Sequence, residues 1–413
     1  MIKFRPTLSA LSRAFALCVL ATAVTAVVPV AQAADTKEAK EPKCEVNKKF
    51  ADKYKPAGEA AQKGDWATAL SAAKEAYAEA KLPCEQMYAV QLERSAAYNL
   101  KNNEELLAAA ALMNTVSTVT EKDKITNLQV IYQTLIQQKE FDKAIPALKD
   151  YIAASGASAD SYDMLARLSY QQKDCAGAVD ALSKVVAIQP ASEQQLLMTQ
   201  DCQYKAKNTA AQAAATEELL KRFPKENYMI GVLALYQDKD ELQLLNLYRL
   251  AYSRGFLTRQ GQIIEYAGLA DRAGMPAEAQ KVLEKAATEK WITLDDKNTK
   301  QLAAEKRNAA EDKKTLPALE KEAKASSSGK RDVAVGYTYF GFEDWANAVE
   351  SIKRGLSAGR AADVKRADDA NMVLGIALSR QGKYDDAAAA FAAAKTDARM
   401  AKAAELWTAL MKP

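Results

Sequence analysis

Apolar positions between Asn371 and Ala394 fall on two short helical stripes separated by one turn. Leu374, Gly375 and Leu378 share a face of the first stripe, at i, i+1 and i+4. Tyr384, Ala387, Phe391 and Ala394 share a face of the second. Gly382 lies between them, where a residue able to take a left-handed backbone ends the first helix. Gly375 and Ala387 put small side chains where the two helices must approach. The pattern predicts an antiparallel helix pair. One such pair cannot bury its own apolar face, so further copies are expected upstream.

The copies are present. With Ala387 as the ruler, Trp345-x-x-Ala348 repeats Tyr384-x-x-Ala387, with Gly336 and Tyr339 in the preceding helix. Pro276-x-x-Ala279 follows Gly274, and Cys175-x-x-Ala178 is followed by Leu182, Val185 and Pro190. Phe141-x-x-Ala144 and Trp66-x-x-Ala69 extend the series toward the N-terminus, and weaker copies fall near Ala108, Leu245 and Thr315. Ala144 to Ala178 is 34 positions, and so is Pro190 to Pro224. Helix pairs at this period resemble the tetratricopeptide repeat (TPR) family. The resemblance implies an all-α, TPR-type α-solenoid: a right-handed superhelix of antiparallel helix pairs. Within 44–413 the expected divisions are irregular repeats over 44–124, central repeats over 125–224, divergent repeats over 225–329, C-terminal repeats over 330–395 and a capping helix over 396–413. The cap carries Met400, Ala403, Ala404, Trp407 and Leu410 on one face, as the end of an array requires. Asp295–Lys324 is unusually charged for a packed pair, and Ala325–Gly329 reads as a flexible joint.

Residues 1–33 read as a secretory signal: Lys3, Arg5 and Arg13, then an apolar run from Ala14 to Val30, then Ala31-Gln32-Ala33 as a cleavage site. The alternative is a retained anchor, for which the run is close to the lower length limit of about 17 residues. Residues 34–43 are polar and charged and read as a flexible lead-in. The expected location is therefore the periplasm.

Charge adds little. The whole chain has 57 Lys and Arg against 53 Asp and Glu, and loses three of the 57 with the signal. A near-neutral mature chain argues against general affinity for nucleic acid or anionic lipid.

Cysteine adds more. Without Cys18, four remain: Cys44, Cys84, Cys175 and Cys202. An even number in an exported chain suggests disulfides. Of three possible pairings, the antiparallel repeat geometry favours Cys44–Cys84 and Cys175–Cys202. Free thiols are the alternative. A metal site is disfavoured by scattered cysteines without a CxxC or any histidine.

The absence of histidine also removes Ser–His and Cys–His nucleophilic sites. No Gly-rich phosphate loop follows a strand, and Asp295-Asp296 and Asp385-Asp386 are chain neighbours rather than pairs facing across a cleft. The pattern argues against an enzyme and calls for no cofactor.

A closer resemblance runs over roughly 125–412. Phe141-Asp-Lys-Ala-Ile-Pro-Ala-Leu148, Lys221-Arg-Phe-Pro-Lys-Glu-Asn-Tyr228 and Leu247-Tyr-Arg-Leu-Ala-Tyr-Ser-Arg-Gly-Phe-Leu257 look like the envelope TPR proteins associated with TonB systems of Gram-negative bacteria. That resemblance implies a scaffold that holds a protein or peptide partner, with TonB-system components as candidates. The alternative is a binding module for cell-wall or outer-membrane assembly. In the TPR family the first helix of each repeat lines the groove. That register nominates Gln133, Gln137, Arg167, Tyr170, Ile264, Arg272, Tyr337, Phe340 and Arg380, with Tyr337 and Phe340 as the strongest cluster because Gly336 and Gly341 flank them.

Overall fold

The computed structural model describes residues 44–412. The expected signal segment 1–33 and lead-in 34–43 lie outside the described residues. Among the described residues there are twenty α-helices and no strand. The first three pairs are α1 (Lys48–Gln62) with α2 (Trp66–Glu79), α3 (Pro83–Asn99) with α4 (Asn103–Thr115), and α5 (Glu121–Gln137) with α6 (Phe141–Ser155). Then come α7 (Ala159–Gln171) with α8 (Cys175–Ile188) and α9 (Glu193–Lys205) with α10 (Thr209–Arg222). The divergent region holds α11 (Glu226–Tyr236) with α12 (Glu241–Ser253), α13 (Gln260–Arg272) with α14 (Pro276–Thr288), and α15 (Asp296–Ala325). The chain ends with α16 (Gly329–Gly341) and α17 (Trp345–Gly355), α18 (Ala367–Arg380) and α19 (Tyr384–Ala394), and α20 (Ala401–Leu410). Consecutive helices pack on one another throughout. This is an all-α, TPR-type solenoid.

The aromatic, Cys or Pro of each strong ruler motif is the first residue of its second helix: Trp66, Phe141, Cys175, Pro276, Trp345 and Tyr384. The small residue three positions on is fully buried, at Ala69, Ala144, Ala178, Ala279, Ala348 and Ala387. The weaker copies have the same construction with a shifted register. The equivalent residues are Leu106 in α4 and Leu244 in α12, both buried, rather than Ala108 and Leu245.

Eight of the nine turns within pairs share one device, the α11–α12 turn being the exception. A residue with positive φ ends the first helix and is followed by the N-cap of the second. Gly64, Gly274 and Gly382 serve at three turns (φ 74–76°), but Lys101, Lys139, Lys173, Lys207 and Glu343 serve at five (φ 55–63°). The cap side chain accepts a backbone N–H at Asp65, Asn102, Asp174, Asn208 and Asp344. Such caps offset part of the cost of the left-handed residue before them.

Close approach is visible at two helix crossings. A Cβ on Gly375 would stand 2.5 Å from the Phe391 ring, and one on Gly336 would overlap Ile352. Phe391 itself is fully buried and stacks on Trp407, centroids 5.8 Å apart.

The first repeat is tied down twice. Cys44 and Cys84 stand at disulfide distance, Cα–Cα 6.0 Å. Beside them the buried Glu85 carboxylate accepts the backbone N–H groups of Asn47, Lys81 and Leu82. Burial alone would raise its pKa, and these hydrogen bonds lower it below the usual carboxylate value. Cys175 and Cys202 are also at disulfide distance, Cα–Cα 5.1 Å, joining the start of α8 to the end of α9.

Two expectations are corrected. The segment 296–325 contains no hairpin. It is one continuous helix of 30 residues with Pro317 inside it. Its run of Ala, Lys, Glu and Leu contains no glycine to end the helix, and Lys324–Glu320 adds a pair one turn apart. The Ser-rich joint after it is anchored. Arg360 donates to the carbonyl oxygens of Ala323 and Ser326, Gly329 N–H donates to Arg360 O (3.1 Å), and Ser328 and Lys330 both bond Asp363.

The C-terminal helix caps α19 as expected. Beyond contacting α19, α20 turns back against α10 and α12. Ala403, Ala404, Leu406, Trp407 and Leu410 are all buried. Lys402 pairs with Glu217, Glu405 pairs with Lys221, and the Trp407 indole N–H donates to the Asn246 carbonyl at 2.7 Å. Thus α20 closes the C-terminal half of the array on itself.

Candidate partner-binding face

Contacts between first helices of successive repeats define the inner face. The Tyr54 ring (α1) meets Tyr88 (α3), centroids 6.2 Å apart. Arg167 (α7) donates to Gln194 (α9), Tyr170 donates to Asp201 at 2.7 Å, and Gln195 donates to Asp163 at 2.6 Å. Side chains at these register positions therefore line the first-helix side of α1 and α3 and of α7 and α9, and the same register puts Gln133 on that side of α5.

That surface is open and carries large side chains. Tyr98 and Tyr204 are 69% and 66% exposed, and Tyr88, Met164 and Leu197 are exposed as well. Tyr170 and Tyr204 are one repeat, 34 residues, apart. Exposed aromatic and thioether groups along one face are the usual mark of an interaction surface.

The C-terminal half has no such opening. Its interior is filled by a buried polar network. The Arg249 guanidinium, 3% exposed, grips Glu278 through Nε–Oε1 (2.8 Å) and Nη2–Oε2 (2.7 Å). Tyr266 O–H also donates to Glu278 (2.8 Å), and Arg249 Nη1 donates to Asn246 Oδ1 (2.8 Å). Asn246 passes the network to Asp369 (2.9 Å), which also accepts from the Tyr337 hydroxyl (2.5 Å). Burial lowers the Arg249 pKa, and Glu278, Tyr266 and Asp369 together raise it by more, so the guanidinium stays charged. Burial raises the Asp369 carboxyl, against the opposing effects of Arg249, Tyr337 and Asn246. A cavity of about 50 Å³ lies beside Arg249, Tyr266, Phe340 and Trp345. It has room for a water molecule or two. At the seam of α12, α18 and α20 lies a shallow opening of about 360 Å³, lined by Arg254, Arg380, Tyr384 and Trp407.

The nominated groove residues therefore divide. Gln133 is exposed on α5, Arg167 is exposed on α7 and Tyr170 is half-buried beside it, all on the open face. Gln137 is exposed one turn beyond Gln133. Arg167 is held by Asp163 (2.6 Å). Arg272 is exposed on α13 and bonds Glu241 at 3.1 Å, with Ile264 half-buried on the same helix. Tyr337 and Phe340 do not form a docking cluster. Phe340 is 4% exposed, packed edge-on to Trp345 (5.2 Å) and under Arg249 (4.8 Å), and Tyr337 belongs to the interior network. The flanking glycines make room for helix packing: Gly336 against Ile352 and Ala348, Gly341 against Ala277. Arg380 is exposed at the rim of the closed half. The nominations missed Tyr88, Tyr98, Leu197 and Tyr204. The 34-residue register carried the signal for Tyr204, since it projects Tyr170 directly onto that position.

Among the described residues no group of three or more His, Cys, Asp or Glu is placed to hold a metal ion, and no helix is long and apolar enough to cross a membrane.

No protein-family profile and no curated protein matches the chain. Several solved structures are similar to it. Naa15/Naa10 bound to HypK-THB aligns at 14% identity over 87% of this chain and 66% of that chain, TM-score 0.36. A tetratricopeptide repeat protein from Parabacteroides merdae ATCC 43184 aligns at 12% identity over 63% of this chain and 99% of that one, TM-score 0.29. PilW, a widely conserved type IV pilus biogenesis factor, aligns at 14% identity over 46% of this chain and 100% of that one, TM-score 0.23. Likeness at this level has no bearing on function, and the repeat assignment rests on the helix pairs themselves.

Proposed function

We propose that this chain is a non-catalytic, exported TPR scaffold that binds a protein or peptide segment along the inner face of α3, α5, α7 and α9. The observation that carries this reading is the contrast between halves. Tyr88, Tyr98, Met164, Leu197 and Tyr204 stand exposed on one face, whereas α20 fills the equivalent space further on. Export to the periplasm is supported by the apolar run 14–30 and by two cysteine pairs at disulfide distance. Within the envelope, the resemblance over 125–412 favours service to a TonB-type uptake system over cell-wall or outer-membrane assembly.

Photocrosslinking in envelopes tests this reading. A photoreactive residue at Gln133 should capture a protein segment that one at Lys149, exposed on the outer helix α6, does not. Capture of TonB, a receptor or a motor subunit supports the uptake assignment, and cell-wall enzymes support the alternative. Equal labelling from both positions, or none, overturns the scaffold reading.

A further inference from the structure

The last residues of α12, α18 and α20 meet around the opening of about 360 Å³. Arginine at such a place commonly serves the orphan carbonyls and negative ends of the helices. Here other donors have taken those carbonyls. In α12, Leu250 O accepts the Arg254 N–H and the Ser253 hydroxyl, Ala251 O accepts the Phe256 N–H, and Tyr252 O accepts the Gly255 N–H. In α18, Ile376 O accepts the Ser379 hydroxyl, Leu378 O accepts the Gln381 and Lys383 N–H groups, and Ser379 O accepts the Gly382 N–H. Arg254 spends one nitrogen on Lys412 O (2.9 Å). Arg380 is exposed and, among the described residues, has neither a hydrogen bond nor an ion pair. No acidic side chain lines the opening. Glu343, which shares the smaller cavity with Arg380, is held by Lys281 at 2.9 Å. Asp386 lies 3.9 Å from Lys353, and Asp385 is exposed in the same turn of α19 without lining the opening. Lys412 adds a third cation at the edge, its Nζ 5.7 Å from the centre of the Tyr384 ring.

We propose that this opening binds a small organic carboxylate carrying one aromatic or branched apolar group. The unpaired Arg380 guanidinium is a planar fork that pairs with both oxygens of a carboxylate, and Arg254 lines the same space with N–H groups to spare. Tyr384, Trp407 and Met411 form the apolar wall. The Trp407 N–H is committed to Asn246 O, so that side chain offers only ring carbon. Tyr384 and Met411 are half-buried and offer a ring face and a thioether to an aromatic group. An inorganic oxyanion would leave this wall uncovered. A cation would meet Arg254, Arg380 and Lys412 without a counter-charge. At about 360 Å³ the opening is near the lower end of the range for small-molecule sites, about 300–1,000 Å³. That suits one ring or a short branched chain. The site is built on other helices than the face of α3, α5, α7 and α9, so it stands or fails separately from the scaffold reading.

The test uses the full mature chain and isothermal titration calorimetry with four probes. Phenylpropionate carries the charge and the ring. Phenylpropionamide keeps the shape without the charge, acetate keeps the charge without the ring, and a short peptide ending in phenylalanine presents the same groups on a chain terminus. Phenylpropionate should bind saturably with Kd of about 0.1–1 mM, and the amide and acetate should each bind at least about tenfold more weakly. Arg380→Ala should weaken phenylpropionate by about tenfold or more. Arg380→Lys should weaken it by about threefold, because the charge stays and the fork is lost. Tyr384→Ala should weaken it by about threefold to fivefold, and Lys149→Ala should leave it unchanged. Arg380 has no partner in the fold to lose, and circular dichroism checks that each variant folds. No saturable binding of phenylpropionate up to about 10 mM, equal binding of the amide, or indifference to Arg380→Ala overturns the proposal. Tighter binding of the peptide than of the free acid also overturns it, because the occupant would then be a protein terminus.

Discussion

Glu278→Ala is the sharpest test of what holds the closed half together. The Arg249 guanidinium is 3% exposed and is gripped by both Glu278 oxygens at 2.7–2.8 Å. Truncating Glu278 leaves that cation buried beside a cavity of about 50 Å³, with Asn246 Oδ1 and Met275 Sδ as its remaining polar contacts in the protein. The Tyr266 hydroxyl also loses its acceptor. Breaking a buried pair from one side costs about 3–5 kcal/mol, and Arg249→Met should cost a similar amount by stranding Glu278. The double variant Arg249→Met/Glu278→Leu removes both charges and should recover at least half of the summed loss, giving a coupling energy above about 2 kcal/mol. Because burial and Glu278 together leave Arg249 charged, the cost should not vary between pH 5 and 9. Urea unfolding followed by the fluorescence of Trp345 and Trp407, both close to the network, measures it. Single losses below about 1 kcal/mol, or strict additivity, would refute the argument.

Further outcomes follow from other sites. Burial raises the carboxyl groups of Glu93 and Glu305 to about 7, with Lys74 opposing the effect at Glu93 and Asp271 adding to it at Glu305. The folded state therefore binds these protons more tightly than the unfolded chain, and stability should fall as pH rises from about 4.5 to 7 and then level. Glu93→Gln/Glu305→Gln should flatten that slope in thermal melts, and an unchanged slope would count against it. Gly375→Ala places a methyl group 2.5 Å from Phe391 and should destabilise by about 1–3 kcal/mol; a neutral result would show that the Phe391 ring can move aside. Lys173→Gly relieves a left-handed lysine (φ 63°) and should be neutral to stabilising by about 1 kcal/mol, whereas a clear loss of stability would contradict the turn analysis. Reducing the Cys44–Cys84 pair opens a 40-residue loop, worth about 4 kcal/mol on the chain-entropy relation. That effect should appear as faster amide exchange in α1 and α2.

The repeats were legible because small residues at a 34-residue spacing have one structural use, and Ala144 and Ala178 are both fully buried. Cysteine pairing was legible because antiparallel hairpins fix which ends meet. The long helix α15 was not, because a fixed period expects a turn near Thr315 and Pro317 agrees with it, yet with no glycine in the segment the helix runs through both. Lysine at the left-handed turn positions was not read as such, although Lys139, Lys173 and Lys207 recur at 34 residues. The groove register reached the surface at some positions and the interior at others. Register places Gln133, Arg167 and Tyr170 on the inner side, but register says nothing of what lies opposite. Tyr337 and Phe340 lost their solvent to a network whose members, from Asn246 to Asp369, are up to 123 residues apart.

An open stack of hairpins peels from either end, since each terminal unit has a neighbour on one side only. Here the anchoring of α20 onto α10 and α12 makes the last hairpins part of a loop of contacts, so removing any one of them breaks several joints at once. Peeling should therefore be directional, beginning among the earlier hairpins and stopping where the chain meets its own tail. A molecule built this way has a yielding arm fixed to a stiff base.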